Sequence, residues 1–376
     1  MKYEIRKLWG NKIILIGILI LMVISIKYGY KVVYSIANSN INLADDIYKG
    51  EYTQEKFEMI SQNYETLKQS GGDSAVANAV LSRARACKDI LEYREHVLKV
   101  ASKLKKSSDE YIARTNSRIE EIYSDEIRLD IVDTRKFDNV MILMRWQEKE
   151  DIINIIIIIF ATSYIFTLEH RANTHKLVFS SYKGRAITYI RKLGCIAGLA
   201  FILPFITNIC MCLYAAISGK GYIWSLSIQN YSEFTKAPYV MTLLEFVVIS
   251  TLIKSMGLIV IAICSAVISL FFKKSIIPVI VSSIIMVGFY LLCSHYADYM
   301  PIGTSVIQSK YEAYTIFKQY SCIGLFNNSG YYMEQYMPIN VFDYPVDMVY
   351  FNLGINLVLV MAVAFAGYLV YRKRDV

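Results

Sequence analysis

The apolar residues of this chain are gathered into long runs, and that clustering limits the possible folds more than any other feature. Six segments, 13–34, 151–168, 193–217, 241–272, 276–297 and 351–371, are rich in Ile, Leu and Val. Each meets or approaches the ~20 residues that a helix rising about 1.5 Å per residue needs to cross a ~30 Å hydrocarbon layer. A globular chain of 376 residues would break such runs with Gly, Pro and polar turns, whereas this one is 55% hydrophobic and has six prolines. The expectation is an all-α, polytopic membrane protein with six transmembrane helices.

The formal net charge is +8, and its placement speaks for topology and lipid contact, not for a nucleic-acid partner. If the N-terminus lies in the cytoplasm, so do Lys2, Arg6, Lys7 and Lys12, then Arg171, Lys176, Lys183, Arg185, Arg191 and Lys192. Lys273, Lys274, Arg372, Lys373 and Arg374 fall on the same side. The opposite loop 218–239 holds only Lys220 and Lys236. Loop 298–350 sets two lysines against Asp298, Glu312, Glu334, Asp343 and Asp347. Basic residues accumulate on the cytoplasmic side of membrane proteins, so both termini are expected there, in a multi-pass protein of the cell membrane.

Residues 1–34 combine a short basic segment with the first span. The order of basic residues, the run ILIGILILMVISI and then Ser35-Ile36-Ala37 also resembles a cleavable signal peptide. Lys27 and Lys31, however, stand between the apolar run and the small residues. A retained helix whose lysines snorkel to the outer interface suits them better.

Residues 35–150 read as an extracellular insert with helical periodicity. Phe57, Ile60, Tyr64 and Leu67 step by three and four, with Thr53 as N-cap and Gly71-Gly72 as stop. Val76, Val80, Cys87, Leu91, Leu98, Ala101 and Leu104 mark a second, longer helix. Ser108, Asp109 and Glu110 open a third, through Ile112, Ile119, Ile122 and Ile127. Trp146 is placed as an interfacial anchor before the second span. Seven cysteines form no C-x-x-C pair, and no metal site is expected. Cys87 and Cys322 would both face outside, and no regular spacing settles whether they pair.

Two features lie within residues 151–376. Glu245 and Lys254 sit in the fourth apolar segment, either near headgroups or lining a polar translocation path. Loop 298–350 contains YEAYTIFKQYSCIGLFNNSGYYMEQY, too aromatic for a solvated loop, and is expected to lie on the outer membrane surface as short helices.

The connector 169–192 ends the second span at Glu169 and returns to the membrane through Arg185, Arg191 and Lys192. Between them His175, Leu177, Val178 and Phe179 give a short helix an apolar side, for the inner leaflet or for a cytoplasmic partner. Its pattern, Glu169, Leu177-x-x-Ser180-x-x-x-Gly184-Arg185 and Lys192, resembles the first cytoplasmic loop of ABC-2 type permeases, the membrane subunits of ABC exporters. The opening KYEIRKLWGNK resembles the interfacial helix of that family, and the closing YLVYRKRDV its basic C-terminus. The resemblance covers the membrane part, and the insert matches nothing specific.

The resemblance implies a permease working as a homo- or heterodimer with a second permease subunit and with a separate ABC ATP-binding subunit. ATP and Mg would be held by that subunit, and this chain would bind no cofactor. Loop 169–192 would be the helix that the ATPase grips, with Glu169, Arg171, Lys176, Leu177, Phe179 and Arg185 as contacts. An amphiphilic cargo such as an antimicrobial peptide or a lipid is implied, and the Ile, Lys, Asn and Tyr usage suits a Gram-positive source. No G-x-x-x-x-G-K-[ST] occurs, the nearest stretch being SGKGY at 218–222. His96, His170, His175 and His295 form no H-E-x-x-H pair, and no enzyme is expected. The alternative is a membrane sensor whose helical ectodomain binds an extracellular ligand.

Because the apolar stripes of the insert have partners within the segment, residues 35–150 expressed alone are expected to be soluble and mainly helical. Far-ultraviolet circular dichroism checks this; a spectrum lacking helix would mean that the insert orders only against other parts of the protein.

Overall fold

The computed structural model of the protein describes residues 2–37, 50–70, 75–131, 147–171, 184–218, 224–231, 234–295, 321–327, 331–334 and 336–373. Most of them are helical, and five helices are long and apolar enough to cross a membrane. After the short helix α1 (Lys2–Trp9), these are α2 (Lys12–Ala37), α6 (Glu148–Arg171), α7 (Gly184–Ser218), α8 (Leu243–Leu270) and α12 (Met348–Lys373). The sixth segment read from sequence, 276–297, forms α9 (Ile276–His295), whose continuous apolar part, Ile276–Leu292, is shorter than the others.

One core joins these helices, with Leu21, Ile158, Phe166, Ile196, Leu258, Ile261 and Tyr290 at its centre. Large apolar side chains such as Ile16, Ile284, Val358 and Phe365 point outward from it. In water such a belt would be an aggregation hazard; in a bilayer it is the lipid-facing surface that helices require. Gly29 brings α2 close to α7, since a Cβ there would collide with the Met211 carbonyl. Ser255 of α8 donates to the Phe201 carbonyl of α7 (3.0 Å), a side-chain tie between the two helices close to Pro204.

Between α2 and α6 lie β1 (Gly50–Glu51), α3 (Gln54–Gln69), α4 (Ala75–Leu104), α5 (Glu110–Tyr123) and β2 (Asp130–Ile131). Thr53 caps α3 through its hydroxyl, which accepts from the Lys56 amide (3.2 Å), and Asp109 caps α5 by accepting from Ile112 (3.0 Å). Ile60, Val80, Leu81, Ala84 and Ile131 close one small core. Strands β1 and β2 pair antiparallel, Gly50 opposite Ile131, and clip the two ends of the insert together. Trp146 lies outside the described residues.

The insert is fixed to the bundle by bonds to backbone. Arg94, 5% exposed, donates to the carbonyls of Tyr123 (2.9 Å), Asp125 (3.1 Å) and Pro238 (3.3 Å). Asn230, fully buried, accepts from the Asp130 amide (2.8 Å) and from Arg83, and donates to the Arg128 carbonyl (3.3 Å). Tyr111 and Arg114 reach the carbonyls of Pro338 and Asp343.

The loop expected to lie on the membrane surface as short helices does form short helices where it is described, but one of them is buried. Helix α10 (Cys322–Asn327) enters the bundle, with Ile323, Leu325 and Phe326 fully buried. It rests on Gly257 of α8: a Cβ there would lie 2.7 Å from both the Cys322 carbonyl oxygen and the Phe326 amide nitrogen. After α11 (Tyr331–Glu334), β3 (Pro338–Val341) and β4 (Tyr344–Asp347) form a hairpin instead of a helix. Phe342 and Asp343 both have positive φ (51° and 64°), as a two-residue turn of the hand that suits twisted strands demands. The Asn340 side chain supports the turn by accepting from the Asp343 amide (2.8 Å).

Cys87 and Cys322 are not joined in a disulfide, and Cys87 is buried against the Asp130 carbonyl. Burial pushes the Cys87 thiol up from its ordinary value, which keeps it protonated and unreactive. In the native protein Cys87 is therefore expected to resist a membrane-impermeant maleimide and to react at the rate of a free thiol once unfolded. Rapid native labelling at that position would mean that the insert core is open.

Candidate functional site

The sequence of α6 opens with a polar stripe that an apolar helix would not carry by default. Gln147, Glu150, Asp151 and Asn154 recur at three- and four-residue spacing and therefore share one face. All four are buried, none more than 2% exposed. That face meets α8, α7 and α9, so their polar atoms must be satisfied by protein.

Lys254, eleven residues into α8, does most of this. Its ammonium lies 2.5 Å from Asp151 Oδ1 and donates to Gln147 Oε1 (2.6 Å). The same group stands 5.2 Å from the ring centroid of Phe326, so α10 lids the ion pair with an aromatic face. Tyr290 of α9 donates to the other carboxylate oxygen of Asp151 (3.3 Å) and packs edge-on against Phe326.

From Lys254 the bonds run in one direction. Gln147 Nε2 donates to Asn208 Oδ1 (2.8 Å), Asn208 Nδ2 to Thr251 Oγ1 (2.6 Å), and the Thr251 hydroxyl to the Val247 carbonyl (2.5 Å). Because Thr251 spends its proton on Val247, Asn208 must present its amide nitrogen, which turns its oxygen toward Gln147. Each amide orientation thus follows from the next. One turn deeper, Asn154 Nδ2 donates to Thr207 Oγ1 (3.2 Å), and Thr207 to the Leu203 carbonyl (3.1 Å). The result is a charged and hydrogen-bonded seam joining α6, α7, α8, α9 and α10 inside an apolar bundle.

Glu245 takes no part in it. It is exposed and closes a capping box with Thr242, accepting from the Thr242 amide (2.8 Å) while its own amide donates to the Thr242 hydroxyl (3.2 Å). Nine residues separate Glu245 from Lys254, which on a helix of about 3.6 residues per turn leaves them on opposite faces. Asp151 and Glu150 are what sequence reading missed, because they stand at the very start of a span and read as its boundary. The spacing of 147, 150, 151 and 154 was the available signal.

Of the connector residues, Glu169 and Arg171 belong to the last turn of α6, and Lys176, Leu177 and Phe179 lie outside the described residues. Arg185, at the start of α7, donates to the Arg372 carbonyl near the end of α12 (2.9 Å). Close by, Tyr189 donates to the Ala364 carbonyl (2.8 Å), and fully buried Lys192 lies 5.3 Å from the Phe166 ring centroid and 5.9 Å from that of Tyr371. Helix α1 packs at this end too, with Leu8 in the core and Glu4 buried beside Lys7 (3.0 Å).

Among the described residues no three His, Cys, Asp or Glu side chains are grouped to hold a metal ion. No family model matches the chain, and no curated protein matches it significantly.

The ion pair makes an asymmetric expectation. Lys254→Met alone strands a buried carboxylate and is expected to cost about 3–5 kcal/mol, as is Asp151→Leu alone. The double variant, which removes both charges, should recover most of that loss. Thermal unfolding of the detergent-solubilised protein measures all three; additive losses would mean that the two groups do not neutralise each other.

Proposed function

We propose that the chain is the membrane-spanning permease subunit of an ABC-2 type exporter, which moves an amphiphilic substrate with ATP hydrolysed by a separate subunit. The observation that carries the reading is a convergence at one end of the bundle. The three segments that resemble the family, the N-terminal helix, the flanks of connector 169–192 and the basic C-terminus, are far apart in sequence. Yet α1 packs against α6 and α7, and the Arg185–Arg372 bond ties the start of α7 to the end of α12. A partner that grips the connector would thus push on a base built from three parts of the chain.

In this reading α9 is the sixth span, both termini are cytoplasmic, and the insert stands outside the cell membrane of a Gram-positive bacterium. The outward apolar faces of α2 and α12 meet lipid or a second permease subunit. Lys254 is then a fixed structural charge beside the translocation path, and Glu245 stands at its outer mouth.

A second reading, a membrane sensor, draws on a different observation. Arg94 and Asn230 bind the insert to the loop that leads directly into α8, so a ligand on the insert would be felt at the seam. It requires no ATPase.

Co-purification separates the two. The permease is expected to bring down an ATP-binding subunit from its native membrane. Phe179→Ala with Leu177→Ala should lose it while still inserting normally, each truncated anchor costing about 1.5–3 kcal/mol, or roughly ten- to hundredfold in affinity. Arg171→Ala alone should do little, since an exposed ion pair contributes at most about 1 kcal/mol. A double variant that keeps full binding would leave the connector on the leaflet and favour the sensor. Ser181→Cys should react with an impermeant thiol reagent only after permeabilisation, and labelling from outside would reverse the topology.

A further inference from the structure

Among the described residues, two acceptor oxygens of the seam have neither a donor nor a cation on them. They are Glu150 Oε1 and Asn154 Oδ1, both on side chains no more than 2% exposed. The two residues are four apart on α6 and so lie one above the other, and both side chains lean toward the start of the helix. The free oxygen on Asn154 is not an arbitrary choice of amide orientation. Thr207 gives its only proton to the Leu203 carbonyl, so its oxygen can only accept, and Asn154 must turn its nitrogen to it. That leaves Oδ1 aimed away from α7 with nothing to accept from.

The charges around Glu150 do not supply the missing donor. Lys254 of α8 acts on it at a distance, but its ammonium is bound to Asp151 Oδ1 and Gln147 Oε1. Lys149, on the same helix, is exposed and turned to the outside. Asp151 beside it adds a like charge, and Tyr290 of α9 spends its hydroxyl on Asp151. From α7 the seam presents Thr207 and Asn208, and from α10 the ring of Phe326, none of them charged. The backbone amide of Glu150 itself gives its carboxylate partial support. The described site therefore holds one cation against two carboxylates. An anion left dry inside a bundle is strongly disfavoured. The burial of Glu150 and Asn154 leaves no room for a hydrated cation.

We infer that Glu150 is a proton-binding site: in the folded protein its carboxyl is protonated and donates to Asn154 Oδ1. A single proton neutralises the surplus charge and turns one of two opposed acceptors into a donor, which answers both orphan oxygens together. The second carboxylate, Asp151, stays ionised because Lys254 is its counter-ion. The site stands apart from the ATPase reading of the connector and is the same for a permease or a sensor. Release of the proton would put a net negative charge into the α6–α7–α8 seam, so the charge of the seam depends on whether that proton is bound.

Infrared difference spectroscopy of the full-length protein in detergent tests this. At neutral pH solvated Asp and Glu side chains are ionised. A protonated-carboxyl C=O band present in wild type, shifted in heavy water and missing from Glu150→Gln is the expected result. Glu150→Gln, which keeps the shape and supplies an N–H to Asn154, should unfold at the wild-type temperature or above. Three outcomes overturn the proposal. One is a wild-type spectrum with no such band at neutral pH. The second is a Glu150→Gln variant that is strongly destabilised or fails to fold, which would make the anion itself the required form. The third is loss of the band on adding sodium or potassium at constant pH, which would make this an alkali-cation site.

Discussion

An ammonium group placed where water cannot reach it must be neutralised on the spot, and in this protein that condition organises the helices. Lys254 projects from α8 into the bundle, so a carboxylate has to come to it. Asp151 does, from the first turn of α6. The remaining capacity of both groups is then met by Gln147, Tyr290 and the face of Phe326. Four helices, α6, α8, α9 and α10, are thereby held in one register by contacts that apolar packing alone would not specify. Such an arrangement contributes little net stability, because desolvation of two ions offsets most of their attraction. Its consequence is uniqueness: sliding α6 along α8 by one turn would strand a charge in an apolar medium.

The same rule explains why α10 turns inward. A stretch containing Ile323, Leu325 and Phe326 could have lain on a membrane surface, but here all three side chains are buried in the bundle and the Phe326 ring covers the Lys254 ammonium. Gly257 provides the approach, since any side chain there would meet the backbone of Cys322 and Phe326. A short helix of six residues is not stable alone. Here it is ordered by burial of three apolar side chains and by the cation it covers.

The two ends of the bundle are built by different chemistry. At the insert end, Arg94, Arg83 and Asn230 bond mostly to backbone carbonyls and amides, so the junction depends on loop shape and not on opposite charges. Debye screening by salt, which weakens exposed ion pairs, touches such buried bonds little. At the other end, aromatic rings surround Lys192, and Arg185 closes α7 onto α12. A movement imposed on the connector there would enter α6 and α7 together, two of the helices that the polar seam joins. This physical continuity is what makes the proposed coupling of a cytoplasmic partner to the middle of the bundle mechanically sensible.

The sequence by itself determined the class of the protein. Runs of Ile and Leu long enough to span a bilayer can do little else in water, and the insert helices were legible because Thr53 and Asp109 cap them and their apolar residues keep helical time. Periodicity also contained the separation of Glu245 from Lys254, since nine residues put them on opposite faces. What lay beyond it was pairing across the bundle. The spacing of 147, 150, 151 and 154 gathers polar residues on one face, but nothing local tells whether that face, at a span's edge, turns to solvent or to a partner. The partner of Asp151 is 103 positions away, by 254 − 151, and the contact depends on how α6 and α8 are staggered. The burial of α10 and the β3–β4 hairpin were hidden for the same reason: short helices could be expected in this aromatic stretch, but whether one lies on a membrane or enters a bundle is decided by the surfaces it meets. Span length and amphipathicity are properties of one segment and can be read from it. Neutralisation of a buried charge is a property of two, and only the tertiary structure brings them together.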